Sequence, residues 1–162
     1  MNAAPQLWMS RHLAERIRSH GAESYPHECC GALLGRDRSL GAGTAPAPGA
    51  AEAPREVLGV FPLVNRREDS PRNRFSLSPD DVRAADKAAR EQHLELLGWY
   101  HSHPDHPARP SEYDRENAWP WYSYIIVSVR GGAPENMSSW RLADDRLEFL
   151  PEAIELRKHT GV

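Results

Sequence analysis

Two histidines set two apart, in Trp99-Tyr100-His101-Ser102-His103-Pro104, are the pair best suited to chemistry. In an extended strand alternate residues point to the same side, so His101 and His103 present two imidazoles to one point in space. Two converging imidazoles are half of a tetrahedral metal site. Ser111-Glu112-Tyr113-Asp114 then reads as a helix start, with Ser111 and Asp114 on neighbouring positions of its first turn. A carboxylate at Asp114 completes a His2Asp set. Three protein ligands leave the fourth position of a zinc ion for water, the arrangement of a catalytic site and not of a closed structural one. Ser-x-x-Asp is equally the spacing of a capping box, and a single histidine is ordinarily a surface or core residue. The metal reading rests on both halves occurring together, one on a strand end and the other on the next helix start.

The elements that must position these residues follow from periodicity. Ser10 to His20 sets Leu13, Ala14 and Ile17 at helical spacing between a Ser N-cap and Gly21, read as the C′ residue. Cys30 to Gly35 is a short run of small apolar residues that fits a buried strand, with Glu28 at its mouth. Gly41 to Pro54, rich in Ala, Gly and Pro, is expected to be a mobile surface loop. Val57 to Val64 resumes as a strand. Ser78-Pro79-Asp80-Asp81 supplies a hydroxyl cap, Pro at the first helical position and acidic residues at the positive dipole end, opening a helix to about His93. Leu94 to Tyr100 and Ser123 to Val129 are nearly continuous apolar runs, as in interior strands covered on both faces. Met137 to Ala143 and Arg146 to Leu150, joined by Asp144-Asp145, predict a closing hairpin. The order implies one α/β domain over residues 1–162 with a mixed sheet. Pro104 and Pro107 end the histidine strand, so the ligands fall at its carboxyl end, where open α/β sheets place their chemistry.

Composition narrows the function. With 162 residues, 20 Lys+Arg against 23 Asp+Glu and a formal charge of -3, the chain lacks the basic footprint of a dedicated nucleic-acid binder. No apolar run approaches the ~18 residues that span a bilayer, and Met1 to Ser10 has no secretory pattern, so a cytoplasmic protein without membrane contact is expected. The only cysteines, Cys29 and Cys30, are vicinal and cannot staple distant segments.

His101-Ser102-His103, seven intervening residues, then Ser111-x-x-Asp114 resembles the JAMM motif of the MPN+ (Mov34/PAD-1) zinc metalloproteases, in particular compact stand-alone members of bacterial type. Tyr25-Pro26-His27-Glu28-Cys29-Cys30-Gly31-Ala32-Leu33-Leu34-Gly35 resembles the family's segment bearing its catalytic glutamate. Pro62 to Asn65, Phe75 and Tyr124 to Val129 also fit, leaving out only the Ala/Pro-rich loop and the last dozen residues. The resemblance implies an α/β MPN (cytidine-deaminase-like) fold, a mixed curved sheet flanked by helices. It further implies one Zn2+ per chain on His101, His103 and Asp114, with Glu28 as proton acceptor and donor and Ser111 steadying the tetrahedral oxyanion. The implied substrate is a ubiquitin-like or sulfur-carrier protein, cut after its Gly-Gly terminus.

Two rivals share these residues. His101-Ser102-His103-Pro104-Asp105-His106 also satisfies the H-x-H-x-D-H signature of metallo-β-lactamase-like hydrolases, which would recruit Asp105 and His106 instead of Asp114. Catalytically silent MPN modules act as scaffolds, but those lack the metal set. Cys30 reads as a small buried residue, since spacing gives neither cysteine a general base. His27 and His106 are read as exposed loop histidines. Trp119, Trp121 and Tyr122 around Pro120 read first as packing at a helix-to-strand junction and second as the wall of a groove for a substrate tail. Oligomeric state is not legible.

Overall fold

The computed structural model describes residues 6–37, 54–64 and 77–158. The elements are β1 (Gln6–Ser10), α1 (Arg11–Ser24), β2 (Cys30–Asp37), β3 (Arg55–Leu63), α2 (Pro79–Glu91), β4 (Glu95–Pro104), α3 (Glu112–Asn117), β5 (Ser123–Arg130), β6 (Ala133–Leu142) and β7 (Phe149–Arg157). The seven strands form a closed barrel in the order β1-β3-β2-β4-β5-β6-β7. The expected mixed sheet with flanking helices is present, and it closes on itself. Closure depends on β1, which sequence periodicity passed over: it pairs in parallel with β7 from Gln6↔Ala153 to Ser10↔Arg157 and with β3 at Leu7↔Arg55. The hairpin is also longer than predicted, and β7 runs to Arg157, through the residues that the family likeness left out. The Gly41 to Pro54 loop lies outside the described residues except for Pro54.

α1 begins as read, with the Ser10 hydroxyl accepting from Leu13 N at 3.1 Å. It does not stop at Gly21. It continues to Ser24, because Gly21 is buried against the barrel, where an added Cβ would stand 3.0 Å from Val129 Cγ2 and 3.4 Å from Ser102 Cβ. Here glycine serves close packing instead of helix termination. α1 packs on β1, β3, β4, β5, β6 and β7 over a core containing Leu7, Ile17, Leu33, Leu97 and Ile125. Each such side chain contributes about 1.5–3 kcal/mol by leaving water.

α2 starts with the predicted cap, Ser78 and Asp81 exchanging bonds of 3.0 and 3.1 Å. Its Ala85 and Ala89 pack with Ala32, Leu34 and Trp99 on the opposite face of the sheet. These two packed faces orient β4. Tyr100 and Ser102 point toward α1, so Trp99, His101 and His103 point toward the α2 side. Among the described residues, no helix is long and apolar enough to cross a membrane.

Candidate metal centre

β4 brings the two imidazoles together: His101 Nε2 lies 3.1 Å from His103 Nε2, and both side chains are buried. After Pro104 the chain must turn back to add a carboxylate, and three anchors fix that return. Asp105 N donates to Val129 O at 2.7 Å, Ser128 Oγ donates to His106 O at 2.6 Å, and Ser138 Oγ donates to Ala108 O. Ser111 then caps α3 as a full capping box. Its hydroxyl accepts from Asp114 N at 3.1 Å, and Asp114 Oδ2 accepts from Ser111 N at 2.8 Å. The same Oδ2 lies 3.3 Å from His101 Nε2 and 3.2 Å from His103 Nε2. Capping and clustering are therefore one arrangement, not alternatives.

Glu28 reaches the cluster from the neighbouring strand. β2 and β4 are antiparallel with Cys30 opposite His101. The pairing continues beyond the strand, with Cys29 N donating to Ser102 Oγ at 2.8 Å and Ser102 N donating to Cys29 O at 3.2 Å. One further step sets Glu28 alongside His103 on the same face. Glu28 is 2% exposed, and its carboxylate and both imidazoles offer donor atoms within 4.8 Å of one another.

The donor set fits a zinc-like ion. Ligand atoms bonded at ~2.0–2.1 Å in a tetrahedron stand ~3.3 Å apart, close to the 3.1 to 3.3 Å separating the two Nε2 atoms and Asp114 Oδ2. Tautomers agree with this. His103 Nδ1 lies 2.9 Å from Pro107 O, which can only accept, so Nδ1 carries a proton there and Nε2 is the nitrogen turned to Asp114. Burial lowers the His101 pKa and outweighs the opposing pull of Asp114, favouring the neutral ring that a metal ligand must be. Burial alone would raise the Asp114 carboxyl, but the two imidazoles together hold it well below the usual carboxylate range.

The five predicted site residues thus lie in one place, although Ser111 and Asp114 are far from Glu28 in sequence. Asp105 and His106 do not join them. The Asp105 carboxylate accepts from Tyr25 Oη at 2.7 Å and from Gly131 N at 2.8 Å, and the His106 side chain is exposed. The H-x-H-x-D-H arrangement is not formed. The cysteines are inert as read: burial pushes the Cys29 thiol up to about 11 and Cys30 up to about 12.

The aromatic residues after α3 both pack and form a wall: Tyr122 stands edge-on to Trp99 and Trp121 against the core, and the tryptophans face a groove. A pocket of ≈ 560 Å³ extends from His101 and Asp114 past Trp99 to Trp119, Trp121 and Tyr122. Trp119 is 65% and Trp121 43% exposed. Val82 and Leu77 close the α2 side. Sequence reading gave no sign of Arg55, a buried guanidinium 4.1 Å from the Trp121 ring that also pairs with Asp37 at 3.1 Å and Ser123 at 3.2 Å. A charged residue beginning an apolar strand carries no signal of the ring it will support.

A closed mixed barrel with a two-histidine, one-carboxylate cluster at the carboxyl end of β4, a second carboxylate beside it and an aromatic groove leading in defines an α/β domain built around a candidate metal site. Residues 10–143 match the prokaryotic homologs of the JAB domain, and the chain belongs to that family. It is 30% identical over 155 residues to a desampylase of Haloferax volcanii, covering 93% of this chain and 97% of that protein. A probable TtuB-protein conjugate cleaving protease of Thermus thermophilus is 33% identical over 125 residues, 77% of this chain and 72% of the relative. A solution structure from Salinibacter ruber is 43% identical, covers 95% of this chain and 94% of its own, and superposes with a TM-score of 0.66.

Proposed function

We propose that this protein is a zinc-dependent peptidase or isopeptidase that hydrolyses the bond after the C-terminal glycine of a ubiquitin-like or sulfur-carrier protein. The observation carrying the reading is the convergence of His101, His103 and Asp114 at 3.1 to 3.3 Å with Glu28 beside them. The relatives, a desampylase and a probable TtuB-protein conjugate cleaving protease, suggest the substrate class, and membership in the family supports hydrolysis. His101, His103 and Asp114 hold the ion. A zinc ion bound there supplies Lewis acidity toward the scissile carbonyl and lowers the pKa of the attacking water. Glu28 accepts the proton of that water and returns it to the leaving nitrogen. Ser111, whose hydroxyl oxygen already accepts from Asp114 N, keeps its O–H to donate to the developing oxyanion. The groove takes the tail in an extended form. Glycines next to the scissile bond let that thin strand approach buried donors without side-chain clashes.

Zinc-loaded protein is expected to release a fluorescent lysine joined through its amine to the C-terminus of TtuB and to leave unrelated peptides of equal length intact. Trp121→Ala should raise KM severalfold with kcat nearly constant, since the groove wall lies away from the reacting atoms. Cleavage of the unrelated peptides alone would overturn the substrate assignment.

Ser111 can be tested separately from its cap. Ser111→Ala is expected to lower kcat by roughly 10²–10³, as for other oxyanion donors, and stability by about 1 kcal/mol through loss of the cap. Ser111→Asp restores a capping oxygen without a hydroxyl. Recovery of Tm without recovery of kcat is the expected result, and recovery of both would assign Ser111 to the cap alone.

A further inference from the structure

The loop between α1 and β2 carries Glu28, and only one flank of it is secured by the sheet. That flank is the Cys29–Ser102 pair, which extends the β2–β4 ladder. At the other flank, Tyr25 Oη donates to Asp105 Oδ2 at 2.7 Å. Tyr25 stands three residues before Glu28, and Asp105 two residues after His103. Asp105 is itself held firmly. Its second carboxylate oxygen accepts from Gly131 N at 2.8 Å, its own N–H donates to Val129 O at 2.7 Å, and its backbone occupies the left-handed region at φ 58°. Aspartate is one of the few residues that adopt that conformation readily. Turned this way, the side chain leaves the imidazoles and reaches the Glu28 loop and the β5–β6 turn together.

We infer that Tyr25 and Asp105 are positioning residues, a tether that fixes the Glu28 loop against the strand end bearing the histidines. Glu28 enters on a loop one residue beyond the β2–β4 ladder, whereas His101 and His103 stand within β4, so strand pairing alone does not fix its carboxylate as it fixes the two imidazoles. A displacement of about 1 Å in a reacting group can cost on the order of 10² in rate. The ladder pair holds Cys29 to β4, and Tyr25 N and His27 N donate to Gly21 O at 3.2 Å and Ser24 O at 2.8 Å, which ties the stretch back to α1. The tether is the bond that ties it to the chain just beyond His103. It touches neither substrate nor metal ligand, so its loss should leave metal binding and substrate affinity alone.

This inference rests on the proposed role of Glu28, and its test separates the two. Hydrogen exchange of the His27, Glu28 and Cys29 amides is compared in wild type and Tyr25→Phe, each metal-free and zinc-loaded. Exchange is expected to quicken at least tenfold in the variant while amides of β4 stay unchanged. With the TtuB-lysine probe, Tyr25→Phe and Asp105→Ala should lower kcat about tenfold or more at zinc content and KM within twofold of wild type. Tyr25→Phe added to Asp105→Ala should cause no further loss, because each alone already removes the Tyr25–Asp105 bond. Unchanged exchange in the 27–29 segment would overturn the tether whatever the substrate. Faster exchange with kcat intact would overturn its positioning role, as would multiplicative effects in the double variant. Full activity in Glu28→Gln would instead sink the catalytic reading beneath it.

Discussion

Asp114→Ala is expected to lose the metal. The carboxylate is the one anionic member of the three-donor cluster, and its Oδ2 meets both imidazoles and the Ser111 N–H at 2.8 to 3.3 Å. Changes to residues that merely orient metal ligands cost 10–100-fold in affinity, so deletion of a ligand should exceed about 100-fold. Metal analysis after dialysis against a weak chelator should find about one zinc per wild-type chain and less than a tenth of that in the variant, with hydrolysis lost in parallel. Asp114→Ala also removes half of the α3 capping box, so Asp114→Asn, which keeps an oxygen for Ser111 N, separates the two effects. It should preserve Tm and still bind zinc poorly. The paired Asp105→Ala and His106→Ala variants supply the opposite control. Both should keep their zinc, because Asp105 is turned to Tyr25 and Gly131. Zinc retained in Asp114→Ala and lost from the control pair would reverse the ligand assignment. A wild-type protein unable to acquire zinc would favour a scaffold.

The site was more legible in the sequence than the architecture around it, for a physical reason. His101 and His103 are related by strand periodicity, and Ser111 and Asp114 by the first turn of a helix. Both spacings are local, so residue types alone say where the side chains point. Glu28 needed the family likeness, because its place beside His103 is a consequence of the β2–β4 register, and pairing across 70 residues leaves no mark in either segment. Barrel closure was hidden in the same way. β1 has five residues and an alternating burial pattern too short to stand out, and its partners lie at Arg55 and in the 153–157 stretch. Gly21 misled for the converse reason: glycine after an amphipathic stretch is the usual C-terminal signal, and only the tertiary contact with Val129 reveals that this one was chosen for its small size. The Trp119-Pro120-Trp121-Tyr122 segment shows the limit of composition. Aromatics at a junction are ordinarily buried, and exposure of two tryptophans along a groove follows from where α3 ends, which Arg146 fixes by donating to Ala118 O at 2.7 Å.

Glu28→Gln is expected to give a folded, metal-loaded and nearly inactive protein. The substitution keeps the shape of a side chain that is 2% exposed and removes only its capacity to take a proton. Proton transfer by a positioned group is worth roughly 10²–10⁴ in rate, and kcat should fall by that factor with KM little changed. Zinc content decides between the two roles open to a carboxylate here. Glu28 shares a 4.8 Å neighbourhood with the imidazoles, whereas Asp114 lies within 3.3 Å of both. In the proposed reaction Glu28 takes a proton from water and is not one of the three residues that hold the ion. Unchanged zinc affinity in Glu28→Gln is therefore the expected outcome, and a loss comparable to that of Asp114→Ala would make Glu28 a ligand and leave the reaction without its base. Glu28→Asp sharpens the distinction. It retains the carboxylate but withdraws it by about one methylene, a displacement on the order of 1 Å, which predicts partial activity near 1% of wild type for a positioned base. A ligand drawn back by the same distance would release the metal, and both signals would fall together.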